Sequence, residues 1–107
     1  MTYFSTKTYF NNFNNFNDEW NFRKPFFKEW LSTLKVGDTM EVIRPNHTRR
    51  NGSSPFFNQG VCEIVEIKED EVVFLKNSKK LHYDMSDFTI STNSFFYNKA
   101  KEFFTNN

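Results

Sequence analysis

Cysteine occurs once in this chain, at Cys62. One thiol excludes an internal disulfide and a metal site built on two cysteines, and it suits a reducing compartment. Cys62 stands in a run of apolar β-formers, which marks it as a small buried hydrophobe. The two histidines, His47 and His82, have no further ligands at workable spacing, so no metal centre is expected. No basic stretch followed by an apolar run opens the chain, so no secretory signal is expected. No segment approaches the roughly 18 apolar residues of a membrane span. A phosphate-cradling glycine loop is missing, and Ser53 and Ser54 lack the surroundings of a nucleophile. The clustered carboxylates at Lys68–Glu71 fit a solvated hairpin turn better than acid–base machinery. These absences leave no catalytic signature and imply no cofactor. The expectation is a non-enzymatic protein, cytoplasmic or packaged in a particle made there, with no membrane partner.

Phenylalanine is what the chain has instead. A length of 107 residues fits one domain with a modest core. The hydrophobic share, 37%, is below that of an ordinary domain, yet 20% of the residues are aromatic. Alanine and leucine are scarce. Each buried ring removes far more area from water than an alanine, so a few rings can hold a small fold. Exposed rings mean a contact surface. Asparagine, phenylalanine and lysine all have AT-rich codons, which fits the genome of a phage, a virus or an AT-rich bacterium.

Three segments follow along the chain. Residues 1–35 form an aromatic-rich helical arm. Within it, "FNNFNNFND" sets Phe10, Phe13 and Phe16 three apart. At 100° per residue these rings and Trp20 fall within an arc of about 120°, one apolar stripe. The intervening asparagines weaken an isolated helix, which then needs something to pack against. Asp18 and Glu19 could begin a separate turn. Proline is tolerated at a helix start, so a second helix is placed from Pro25 to Leu34, with Phe26, Phe27, Trp30, Leu31 and Leu34 as its apolar face. This second helix is expected to fold back onto the body. For Phe4–Phe16, docking on a partner or a second copy is favoured over a place in the core.

Residues 36–91 read as short strands divided by turn chemistry. Thr39–Arg44 is a strand, and Pro45–Gln59 a long loop. Gly60–Lys68, Glu71–Lys76 and Lys79–Asp84 are strands joined by tight turns at Glu69-Asp70 and Asn77-Ser78. Ser86–Phe88 makes a single turn before a last strand near Thr89–Ser91. In the long strand, Val61, Val65 and Ile67 share one parity and Cys62 and Ile64 the other, as in a bent strand shared by two sheets of a small barrel. Residues 92–107 form a short C-terminal helix with a frayed tail, Ser94 as N-cap, and an apolar face of Phe96, Ala100, Phe103 and Phe104.

The opening "LKVGDTMEVI" resembles the start of a KOW-type domain, with Gly37-Asp38 leading into the first strand and Met40 and Val42 at its alternating apolar positions. "GVCEIVEI" resembles the next strand of that family, with Gly60 at the turn. The resemblance covers about half the chain. It implies a five-stranded SH3-like small barrel and a binding module acting on nucleic acid or protein in transcription or translation machinery. The expected class is therefore α+β, an SH3-like barrel with an N-terminal helical arm and a short C-terminal helix.

Two candidate surfaces emerge. For a protein partner or larger assembly, the candidates are Phe10, Phe13, Phe16, Trp20, Phe56 and Phe57. For nucleic acid, they are Arg44, His47, Arg49, Arg50, Lys79 and Lys80, with phosphate contacts from the cations and base stacking on Phe56 and Phe57. Charge opposes the second reading. Residues 36–90 hold seven Lys or Arg against nine Asp or Glu, whereas a dedicated nucleic-acid binder carries a strong basic face. The expected function is a protein-binding or assembly module, such as a virion component or a small protein that occupies a host factor. The alternative is a nucleic-acid-binding accessory module.

Overall fold

Asparagine decides how the N-terminal rings are arranged. In the computed structural model, which describes residues 4–46 and 54–105, Ser5 caps a short helix, α1 (Thr6–Phe10), by accepting from the Thr8 N–H at 3.1 Å. The Asn12 amide then turns back and donates to the Thr8 and Tyr9 carbonyls, at 2.9 and 3.3 Å. Asn15 accepts from the Asp18 N–H at 2.9 Å and caps α2 (Phe16–Ser32). Asparagine side chains that bond nearby backbone compete with a continuous helix. The single stripe expected from the Phe repeat is accordingly divided: Phe10 ends α1, Phe13 lies in the linker, and Phe16 opens α2. Asp18 and Glu19 occupy the first turn of α2, where carboxylates complement the helix dipole.

Pro25 lies inside α2 rather than at its start. An interior proline costs about 3 kcal/mol. Fully burying Phe27, Trp30 and Leu31 on the same helix contributes roughly 1.5–3 kcal/mol each, which outweighs that cost. The carbonyl left without its i+4 partner belongs to Asn21, an exposed residue that water can reach.

Four strands follow, β1 (Thr39–Pro45), β2 (Phe56–Ile67), β3 (Glu71–Lys76) and β4 (Lys79–Asp84), in one antiparallel sheet of order β1-β2-β3-β4. β2 begins earlier than the turn-rich sequence indicated, because Phe56 and Phe57 pair with Pro45 and Arg44. A bulge between Ile64 and Glu66 leaves Val65 as the extra residue. It brings Ile67 onto the face already occupied by Cys62 and Ile64, which accounts for the mixed parity of the strand. A second irregularity, between Val42 and Ile43, lies opposite Gln59 and Gly60. Gly60 has φ +74°, and a Cβ there would collide with Lys76 Nζ. Asn77 and Ser78, at φ 51° and 66°, form the tight β3–β4 turn whose twist suits a two-residue hairpin.

The fifth strand expected at Thr89–Ser91 is not formed among the described residues, and the sheet does not close into a barrel. Local bonds hold this stretch in turns: Thr92 and Asn93 both donate their N–H to the Thr89 carbonyl, at 3.3 and 2.9 Å. The third helix, α3 (Ser94–Thr105), is capped by Asn93 rather than Ser94, since Asn93 Oδ1 accepts from the Phe96 N–H at 3.1 Å. Asn93 also donates to the Tyr83 hydroxyl at 3.1 Å, which ties the start of α3 to the sheet.

One continuous core joins all three segments. Val42, Cys62, Ile64, Val72, Phe74 and Tyr83 line the inner face of the sheet against Phe27, Trp30 and Leu31 of α2 and Phe96 and Ala100 of α3. Phe88 is the hub: its ring lies 5.2 Å from Phe27, 5.4 Å from Trp30 and 4.8 Å from Phe96, where the rings stack. Phe4 and Tyr9 are also fully buried, so the stretch Phe4–Phe16, expected to dock on a partner, instead gives part of its rings to the core, and the Tyr97 hydroxyl donates to the Phe4 carbonyl at 3.0 Å.

A buried charge pair locks α1, α2 and the sheet together. Glu19 and Arg23 are 2% and 4% exposed. Arg23 donates through Nε and Nη2 to the two Glu19 oxygens, at 3.0 and 2.6 Å, and through Nη1 to the Met85 carbonyl at 2.7 Å. The Tyr9 hydroxyl donates to the same carboxylate at 2.5 Å. Removing one partner leaves the other charge buried and uncompensated. Glu19→Ala is therefore expected to lower the unfolding free energy by about 3–5 kcal/mol. Phe16→Ala, at a ring 69% exposed, is expected to change it by no more than about 0.5 kcal/mol. Urea denaturation of the two variants checks the contrast.

Candidate binding surface

The rings divide into a buried set and an exposed set. Phe13, Phe22 and Phe104 are half-buried and lie over Tyr9: its ring is 5.0 Å from Phe13 and about 6.1 Å from both Phe22 and Phe104. Phe10 and Phe103 form the outer layer, 45% and 47% exposed. Phe10 packs edge-on against Tyr9 at 4.9 Å, and Phe103 contacts Phe22 at 5.2 Å and Phe104 at 5.0 Å. The result is a continuous ring face drawn from α1, its linker, α2 and α3. Exposed asparagines 11, 12 and 14 flank Phe10 and Phe13 in the chain, while Lys99 and Glu102 lie near Phe103 along α3.

The other sequence-predicted residues lie elsewhere. Phe16 and Trp20 form a separate pair, 5.3 Å apart, with the Arg23 guanidinium 5.3 Å from the Trp20 ring. Phe56 and Phe57 are exposed at the start of β2. Arg44 spends its Nε on the buried Asp87 carboxylate, at 3.1 Å, whose other oxygen accepts from the Asp84 N–H. That pair anchors β1 to the turn after β4, so one edge of the guanidinium is committed inside the fold. Lys79 and Lys80 are exposed where β4 begins. His47, Arg49 and Arg50 lie outside the described residues. The structure thus brings Phe10 and Phe13 together with Phe22, Phe103 and Phe104, and does not join them to Phe16 and Trp20. Helical periodicity did not single out Phe22; its i, i+4 spacing to Phe26 was the available signal.

Burial pushes the Cys62 thiol up, as for an inert structural cysteine. The His82 and Lys68 contacts, each at 3.1 Å, hold the Glu71 carboxyl below its ordinary value at an exposed hairpin. Among the described residues, no group of His, Cys, Asp and Glu could hold a metal ion, and no helix is long and apolar enough to cross a membrane.

No family model, no curated protein and no solved structure matches the chain.

Two phenols under these surfaces respond to alkali. Burial, reinforced by the Glu19 hydrogen bond, raises Tyr9 well above its ordinary 10.0. Burial does the same for Tyr83. A raised folded-state pKa means that the folded protein keeps protons the unfolded chain has already lost. The associated stability is complete below pH 10.0 and falls as pH rises past it. Ultraviolet titration of tyrosine, run beside circular dichroism, is expected to show two phenols ionising only as the fold is lost. Free ionisation of all phenols at the ordinary value with the fold intact contradicts this.

Proposed function

We propose that this protein is a non-enzymatic protein-binding module, a component of a larger assembly, and that the ring face centred on Phe10 and Phe103 is its docking surface. The observation that carries this reading is the half-exposure of two phenylalanines, one from each end of the chain, on a packed layer of further rings. Protein interfaces are rich in aromatic residues and poor in charge at their centre, with polar rims. The exposed asparagines beside Phe10 and Phe13 have that character, because an amide gives up its water for hydrogen bonds at lower cost than a charge does. Rings held by neighbouring rings also lose little side-chain entropy on binding. The four-stranded meander after Gly37-Asp38 supports an SH3-like body left open beside β1, and an AT-biased composition fits a phage or viral source.

Phe10→Ser and Phe103→Ser are expected to leave the fold intact and to remove association with the native partner. A central interface ring contributes about 2 kcal/mol or more, so each variant should weaken binding by roughly thirtyfold. The check is co-purification from native lysate with and without nuclease, followed by titration of the isolated partner. Association that survives both substitutions rules out the ring face. Association that vanishes with nuclease, or falls steeply with salt, transfers the function to nucleic acid. Self-association lost in both variants identifies a second copy as the partner.

A further inference from the structure

Among the described residues the sheet ends in two open edges, and they differ. β4 carries Lys79, Lys80, His82 and Asp84, charges of the kind that keep an edge from pairing. β1 has no such guard along Thr39–Ile43 beyond Glu41. Its free backbone groups follow from the register. The Ile64 N–H donates to the Asp38 carbonyl at 2.8 Å, and Met40 and Val42 stand opposite Cys62 and Gly60. In an antiparallel ladder the backbone groups of alternate residues point to opposite sides. Asp38, Met40 and Val42 therefore face β2, and the N–H and C=O groups of Thr39 and Glu41 face away from the sheet. Beside them is a cavity of about 300 Å³, bounded by Met40–Ile43 on one side and Thr92–Phe95 on the other, with Trp30, Phe74 and Tyr83 as apolar floor. It lies between β1 and the stretch where a barrel-closing strand was expected, where Thr92 and Asn93 instead donate their N–H to the Thr89 carbonyl.

We propose that the β1 edge is a strand-addition site for an extended peptide of a partner protein in which apolar residues alternate with Lys or Arg. Backbone pairing with Thr39 and Glu41 supplies the register, and apolar side chains on one face enter the cavity. Charge complementarity selects the other face. Among the described residues, Glu41 is the one charged residue that lines the cavity. Glu63, opposite Thr39 and so on the same face as Glu41, is exposed beside it. Cationic side chains of the added strand meet these carboxylates, and an acidic strand is repelled. The site is independent of the ring face.

The probes are three capped peptides of about six residues, the length of an ordinary strand, alternating Lys with Val, Leu or Phe, and their Glu-for-Lys counterparts. Amide-resolved NMR titration is expected to show at least one Lys peptide binding, with shifts centred on Thr39–Ile43 and slowed hydrogen exchange at Thr39 and Glu41, and no Glu peptide binding. Thr39→Pro removes one outward N–H at a strand position that tolerates proline and is expected to weaken binding at least about tenfold. Glu41→Lys, at an exposed side chain, keeps the fold and is expected to weaken it several-fold at low salt. Phe10→Ser should bind the peptide like the unaltered protein, so failure here and failure of the ring face are separable. Absence of binding by all three Lys peptides overturns the proposal, as does binding indifferent to both β1 substitutions. A dimer that Thr39→Pro dissolves in sedimentation assigns the edge to a second copy and overturns the peptide assignment.

Discussion

The Glu19 carboxylate is the point on which the arrangement depends. A buried charge is tolerated only when its partners stand in place. Glu19 has three such bonds, two from Arg23 and one from the Tyr9 hydroxyl, while Arg23 reaches across to the Met85 carbonyl. Those bonds set α1 against α2, and α2 against the end of β4. An aromatic core without them could slide, because dispersion between rings has little directionality compared with charged hydrogen bonds. The positions of Phe10, Phe13 and Phe22 on the outside of the body are consequences of that lock.

Ring supply exceeds ring burial in a chain this small. Phe4, Tyr9, Phe27, Phe74, Phe88 and Phe96 fill the interior, and the remaining rings build outward from it. The outer layer is ordered by the inner one, so a partner meets a preformed apolar surface. This is the physical link between composition and the proposed binding role: surplus aromatic area is held in place by the rings beneath it.

The open β1 edge has a separate origin. Turn bonds to the Thr89 carbonyl take up the N–H groups of residues 92 and 93, and α3 takes up the Asn93 carbonyl. The chain therefore passes alongside β1 without pairing to it and leaves outward backbone groups above an apolar cavity. Arg44 bonded to Asp87 holds the end of β1 to the same turn, so the gap has fixed walls.

Much of the fold was legible because local chemistry agreed with tertiary need. Glu71–Lys76 and Lys79–Asp84 are strands at their predicted bounds, since alternation and the Asn77-Ser78 turn specify them without help from elsewhere. Cys62 is buried as its apolar neighbours implied. Three features could not be read that way. Asparagine can cap a helix or sit within one, and the sequence did not say that Asn12 would turn back onto the end of α1 and Asn15 cap α2. Pro25 would have started a helix in an isolated peptide, and burial of Phe27, Trp30 and Leu31 carried the helix through it. The proposed surfaces were half legible: the Phe repeat announced surplus rings, but which of them face outward depends on contacts with Phe103 and Phe104 from the far end of the chain. Composition and spacing determined an aromatic α+β body with turns in known places. Tertiary structure decided which rings stay wet and which strand edge stays open, because both depend on long-range contacts that no local pattern encodes.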